Sequence, residues 1–242
     1  MNRGNVLFII LITISLFAAL SFAVKDMGGR GSSNAISQEL AKAYATDIIQ
    51  YTSSVEQAVQ RMLSRGVSEN ALCFDFDDYP GGDTNYEHSD CADSQNRVFD
   101  FQGGGATYRT PESLWLDTSV SSIDGYGTFF YTTTCLLEIG TDPSGDTCNN
   151  ASYAARHAEL MVILPGIHKN ICEAINKKLY DDPTIGEDPA PYFTGSSAYF
   201  RGRFNISTAH TGNAYITGRK QGCFSDSTPE MKYIYYHALL VR

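Results

Sequence analysis

Residues 6–24 read VLFIILITISLFAALSFAV, nineteen residues without a charge, in which Thr13, Ser15 and Ser21 are the only polar side chains. As a helix rising 1.5 Å per residue, such a stretch covers roughly 28 Å, about the thickness of a bilayer's hydrocarbon core. The three hydroxyls can bond back to their own helix carbonyls, so they do not forbid insertion. The remainder of the chain has the opposite character. All 27 acidic side chains lie beyond Val24, Arg3 is the only Lys or Arg before Lys25, and the formal charge of the 242 residues is −9. That balance gives no basic footprint for nucleic acid. A hydrophobic content of 43% suits a folded body rather than a disordered one. The length allows one large domain or two small ones.

Three readings of the apolar segment stand side by side. A cleaved secretory signal would use Arg3 as its basic region and Ser21-Phe22-Ala23 as a small-x-small cleavage site. The run is longer than the 7–15 residues typical of such a signal. A plain uncleaved anchor would keep Arg3 inside, although Lys25 nearly balances it. The third reading rests on Met1-Asn2-Arg3-Gly4, which is followed directly by the apolar helix. This opening resembles the very short leader of type IV pilins and pseudopilins, and Arg3-Gly4-Asn5-Val6 is similar to the start of tight-adherence pseudopilins. It also resembles the opening of a group of uncharacterised bacterial envelope proteins.

The resemblance covers about 25 residues and implies a leader at 1–4, read by a prepilin peptidase through Arg3 and Gly4, with Asn5 as the new N-terminus. It implies a transmembrane helix at 5–27 and self-assembly, or assembly with other pilin-like subunits, through that helix. Most pilins carry Glu at the fifth mature position, where this chain has Ile9. Some minor pseudopilins also lack the acid, so a minor subunit fits better than a bulk filament subunit. All three readings place the acidic body outside the cytoplasm. The two that keep the segment make it an inner-membrane anchor with a periplasmic or cell-surface domain.

The six cysteines, Cys73, Cys91, Cys135, Cys148, Cys172 and Cys223, are even in number, as an exported disulfide framework requires. No two lie two to four residues apart, which leaves zinc knuckles and thioredoxin-like motifs without support. Fifteen pairings are open to six cysteines. Pairing of sequence neighbours predicts Cys73 with Cys91, Cys135 with Cys148, and Cys172 with Cys223, the last tying a helix to the C-terminal strands.

Beyond the apolar segment, the glycines at 28, 29 and 31 make residues 28–33 a joint. The body then occupies 34–242. Ile36, Leu40, Tyr44, Ile48, Tyr51, Val55, Val59 and Met62 recur every three or four residues and predict a long amphipathic helix. Ser33 or Asn34 can cap its start, and Gly66 sits where a C′ glycine belongs. Residues 73–100 hold eight acids and one arginine among turn formers and read as an acidic loop with short strands at its ends. Asp75, Asp77, Asp78 and Asp83 offer oxygen ligands for calcium, as some pseudopilins carry in a loop, but their spacing does not match an EF-hand. A solvated acidic loop is the plainer reading.

Residues 103–105 form a glycine loop without the features of a phosphate cradle. Residues 126–137 predict a strand, 142–145 a turn, and 158–164 a buried strand, with a helix as the alternative. Pro165-Gly166 is expected to end that run. Residues 167–179 predict a second helix, 181–191 a loop, and 198–206, 213–217 and 233–241 strands. The expected class is therefore α+β: transmembrane helix, long amphipathic helix, then a mainly antiparallel sheet with one further helix and disulfides.

Motifs for catalysis are lacking. His88, His157, His168, His210 and His237 form no metal-binding spacing, no serine sits in a GxSxG elbow, and nothing singles out a pair of acids for glycoside hydrolysis. The expectation is a protein that is not an enzyme and has no cofactor apart from the calcium just named. Fifteen tyrosines and thirteen phenylalanines suit a contact surface as well as an ordinary core. The sequons at Asn150 and Asn205 carry no weight without a known source.

Overall fold

The computed structural model describes residues 36–76, 84–123, 125–136, 158–188, 199–204, 209–210, 218–226 and 233–242. The leader at 1–4, the membrane helix at 5–27, the joint at 28–33 and the helix cap at Ser33 or Asn34 lie outside them. The chain divides into two units, 1–37 and 38–242, and all the elements named below belong to the second. Among the described residues no helix is long and apolar enough to cross a membrane.

The periodic stripe folds as α1, Gln38–Ser64. Its last turn closes as expected: Gly66 takes φ +92° and its N–H donates to Leu63 O at 3.0 Å, while Val67 N–H reaches Met62 O at 3.2 Å. This pair of bonds is the Schellman arrangement, and it satisfies carbonyls that the helix leaves open. The second helix, α2, spans Lys169–Tyr180.

Among the described residues six strands form one sheet: β1 Phe130–Leu136, β2 Glu159–Ile167, β3 Gly186–Asp188, β4 Ala209–His210, β5 Gln221–Asp226 and β6 Tyr233–Leu240. Their spatial order is β3-β5-β6-β2-β1-β4. The four central strands pair antiparallel, and the two short outer ones join in parallel. The class is α+β with a mainly antiparallel sheet. Every residue of β2 is buried, which explains why it reads as a continuous apolar run rather than an alternating one.

Alternation decides which side chain meets which layer. Tyr131, Val162, Tyr235, His237 and Cys223 share the face toward the helices, whereas Phe130, Ile163, Tyr236, Ala238 and Phe224 share the other. Tyr44, Ile48, Tyr51, Val55, Val59 and Met62 of α1 are buried on the first face. The segment around the acidic loop adds rings to this core. Phe74 stacks on Tyr131 with centroids 4.3 Å apart, and Tyr86 lies edge-on to Tyr131 at 5.7 Å.

Several sequence expectations are corrected. Pro165-Gly166 does not end the second strand. Proline sits at a bulge opposite Ile234, and Ile167 goes on to pair with both Tyr233 and Leu116. The strand expected at 126–137 begins only at Phe130, because Tyr126 and Thr128 close turns onto Ile123 and Gly125. Within the expected strand at 198–206, residues 199–204 make a single bridge, Tyr199 with Thr132. The strand at 213–217 lies outside the described residues. In place of end strands, residues 84–96 form short 3-10 turns, with one bridge from Cys73 to Arg97. The sequence reading missed β3, β4 and β5.

Candidate functional site

Three places in the described residues bring chemistry-bearing side chains together. The first lies between α1 and the sheet. Thr52, Glu56 and Gln60 are four residues apart and form a polar row beside the apolar stripe of α1. Facing them, β6 presents Tyr235 and His237, and β5 begins with Gln221 after Lys220. His237 Nε2 lies 3.0 Å from a Glu56 carboxylate oxygen, and Nδ1 lies 3.0 Å from the Thr52 hydroxyl. A carboxylate only accepts, so Nε2 is assigned the proton and Nδ1 accepts from Thr52. Thr52 also meets the Tyr235 hydroxyl, to which Gln221 Nε2 donates. At the outer end Lys220 donates to Glu56, and Gln60 donates to Leu239 O at 3.1 Å.

The electrostatics follow from this chain of bonds. Burial alone would raise the Glu56 carboxyl; the hydrogen bonds from His237 and Lys220, with the charge of Lys220, outweigh it and hold the group below its ordinary range. Burial also pushes Tyr235 well up, against the hydrogen bonds from Thr52 and Gln221. His237 is 2% exposed, so a substrate could reach it only by opening the helix–sheet interface. These bonds tie side chains of α1 to side chains of β5 and β6, and the arrangement therefore fixes the register of α1 on the sheet.

The second place is the corner around one disulfide. Cys73 and Cys91 are joined, with Cα atoms 5.3 Å apart, and close the acidic segment. His88 stands beside them. Its Nε2 donates to Leu72 O at 3.0 Å, and its Nδ1 lies 3.7 Å from the Asp90 carboxylate. A sulfur from each cysteine and a ring nitrogen of His88 fall within 4.8 Å, a geometry suited to a metal. Both sulfurs are bonded to each other, however, so that donor set exists only after reduction. Asp75 follows Phe74 in this segment and is half-buried. Asp77, Asp78 and Asp83, the remainder of the calcium set expected from sequence, lie outside the described residues.

The predicted disulfide Cys172–Cys223 is also formed and ties α2 to β5. Asn176, one turn further along α2, reinforces it. Its amide donates to Thr184 O and Cys223 O, and its oxygen accepts from Cys223 N–H, all within 2.9 Å. Cys148 lies outside the described residues, and with it the predicted pair with Cys135. Arg3, Gly4 and Asn5 lie outside them too.

The third place is an open groove of about 420 Å³ between the first turns of α1 and the exposed side of α2. Ala41 and Ala174 are among the small side chains that line it, and Lys42, Lys177 and Lys178 carry amines along it. Lys42 pairs with Glu39 at 2.8 Å and Lys177 with Asp181 at 2.7 Å, both exposed pairs of the kind that add little stability.

Sequence reasoning missed the His237–Glu56 network. Its signal was present: one histidine in the apolar run YIYYHALLV, and polar residues at four-residue spacing along a helix. Comparison with protein families, characterised proteins and solved structures found no match to this chain.

Proposed function

We propose that the chain is a minor pilin-like subunit or pseudopilin, a structural component of a surface appendage or secretion apparatus. It is anchored in the inner membrane by residues 5–27, with its acidic domain outside the cytoplasm. The observation that carries this reading is the order of elements. An apolar segment of membrane length precedes a 27-residue helix with ten buried residues that packs on a mainly antiparallel sheet and the second helix. Two disulfides suit an oxidising compartment. Arg3 and Gly4 serve the peptidase, and the apolar helix packs subunits together. Sites of covalent chemistry play no part in this role, and calcium at the aspartates of the acidic loop would be structural.

Mass spectrometry of the mature N-terminus in producing bacteria tests the reading. A chain beginning at Asn5 is expected. A chain beginning at Val24 would mean secretion, and an intact Met1 would leave a plain anchor and defeat the proposal. The second reading is a single-pass envelope protein that does not polymerise and whose domain binds a ligand or partner. Ile9, in place of the assembly acid, and the glycine joint at 28–33 favour it.

A further inference from the structure

Phe101 is the most exposed large apolar side chain among the described residues, at 84%. The turn that carries it is tied down from several directions. The N–H groups of Gly103 and Gly105 both donate to Asp100 O, at 3.1 and 2.7 Å, and Gly104 N–H donates to Arg97 O at 2.9 Å. From α1, Arg65 donates to Gly103 O at 3.0 Å and Arg61 to Gly104 O. Space demands the glycines. A Cβ on Gly103 would lie 2.1 Å from Arg97 O, and one on Gly104 would lie 2.4 Å from Val98 O. An aromatic side chain held out on a fixed turn offers contact area at little ordering cost, which is the property of a binding anchor.

The groove between α1 and α2 has the complementary chemistry. Its 420 Å³ exceeds the volume of a phenyl ring, and Ala41 and Ala174 leave the space. Lys42 and Lys177 are paired with Glu39 and Asp181, and Glu173 also lines the groove, so the amine of Lys178 is the one that suits the face of an aromatic ring. Asp100, next to Phe101, would bring a carboxylate to Lys178. The two features cannot meet within one chain. The turn is pinned to Arg61 and Arg65, whereas the groove lies on residues 38–46, some twenty residues or about 30 Å away along the helix.

The geometry points to a contact between copies, with Phe101 of one chain seated in the α1–α2 groove of the next. Knob and groove lie at opposite ends of the same helix. The contact is therefore heterologous and leaves one knob and one groove free on every pair, so further copies can add head to tail. It rests on the pilin-like reading and adds to it a second copy as partner and the surface that partner uses.

A photo-reactive benzophenone side chain at position 101 of the full-length chain tests this in membranes of cells making isotopically light and heavy copies. The expected products are light–heavy cross-linked peptides joining position 101 to residues 38–46 or 170–178. Ala41→Trp, which fills the groove, is expected to lower their yield about tenfold. Lys178→Glu, an exposed change, serves as a second variant whose folding is not in question, and it lowers the yield in the same direction. Cross-links confined to other surfaces, an absence of light–heavy products, or a yield unchanged by both variants would overturn the contact. The same spectra report the mature N-terminus. No groove cross-link in a chain beginning at Asn5 rejects the contact and leaves the pilin-like reading standing. A groove cross-link in a chain that retains Met1 does the reverse.

Discussion

The two faces of the sheet hold the molecule together by different means. Toward α1, Tyr235, His237 and Gln221 meet Thr52 and Glu56 through directional hydrogen bonds. On the opposite face Phe130, Met161, Ile163, Phe224, Ile234, Tyr236 and Ala238 pack as a dry cluster. Apolar contact is tolerant of sliding, because one methyl group substitutes for another. A histidine set between a hydroxyl and a carboxylate is not, since moving α1 by one turn would leave its donors and acceptors buried and unpaired. Apolar packing on both faces thus supplies bulk stability, and the hydrogen-bonded row on the α1 side adds a unique position for the helix.

This division predicts a ranking of effects. Phe224→Ala on the dry face should cost most, about 3–5 kcal/mol in chemical denaturation, because transfer and cavity contributions add. Glu56→Ala should cost about 2–3 kcal/mol, since it leaves His237 N–H buried without its acceptor and Lys220 without its partner. It should also loosen α1, read as faster hydrogen exchange in the helix. A loss from Glu56→Ala as large as that from Phe224→Ala would dissolve the distinction between the faces.

The next effect depends on pH. The folded Glu56 carboxyl lies below its unfolded range, so its contribution is fully present above about pH 4.3 and is lost as the pH falls through the lower folded value. Thermal melting between pH 6 and pH 3 should therefore fall less steeply in Glu56→Gln than in the parent. Part of the slope should remain, because Asp117 is also held low. Burial opposes that shift too, and hydrogen bonds from Ser119 and the nearby His168 outweigh it. The smallest effect belongs to Tyr236, whose buried hydroxyl has no hydrogen-bond partner among the described residues. Tyr236→Phe should be neutral or stabilising by up to about 1 kcal/mol, whereas a clear loss would reveal a partner for that hydroxyl.

How much of this was legible depended on whether a segment's own residues set its conformation. Both helices could be read from their periodicity, and β2 and β6 from their apolar and aromatic runs. The strand β5 could not, because QGCFSD has no β-branched residue. It is extended because β6 pairs along it, Cys172 bonds to Cys223, and Asn176 clamps the backbone of Cys223. Likewise β3 looks like loop and gains its form only by lying beside β5. For the two pairs seen, disulfide neighbours were rightly inferred from spacing. The polar network lay in plain sight as single residues, but its assembly joins positions about 180 apart in the chain, which no local pattern encodes. Phe101 was likewise hidden, since exposure is a property of the folded turn.

The position of β6 has a consequence for the order in which the chain folds. It is the last of the six strands to be synthesised, yet it lies between β5 and β2 in the middle of the sheet. Until residue 240 has emerged, β2 lacks one neighbour, β5 lacks its antiparallel partner, and α1 has neither Tyr235 nor His237 to rest upon. A chain synthesised from its first residue onward would thus keep this sheet open until residue 240 had emerged. Late closure leaves Cys223 free to find Cys172 before β6 seals the sheet beside it.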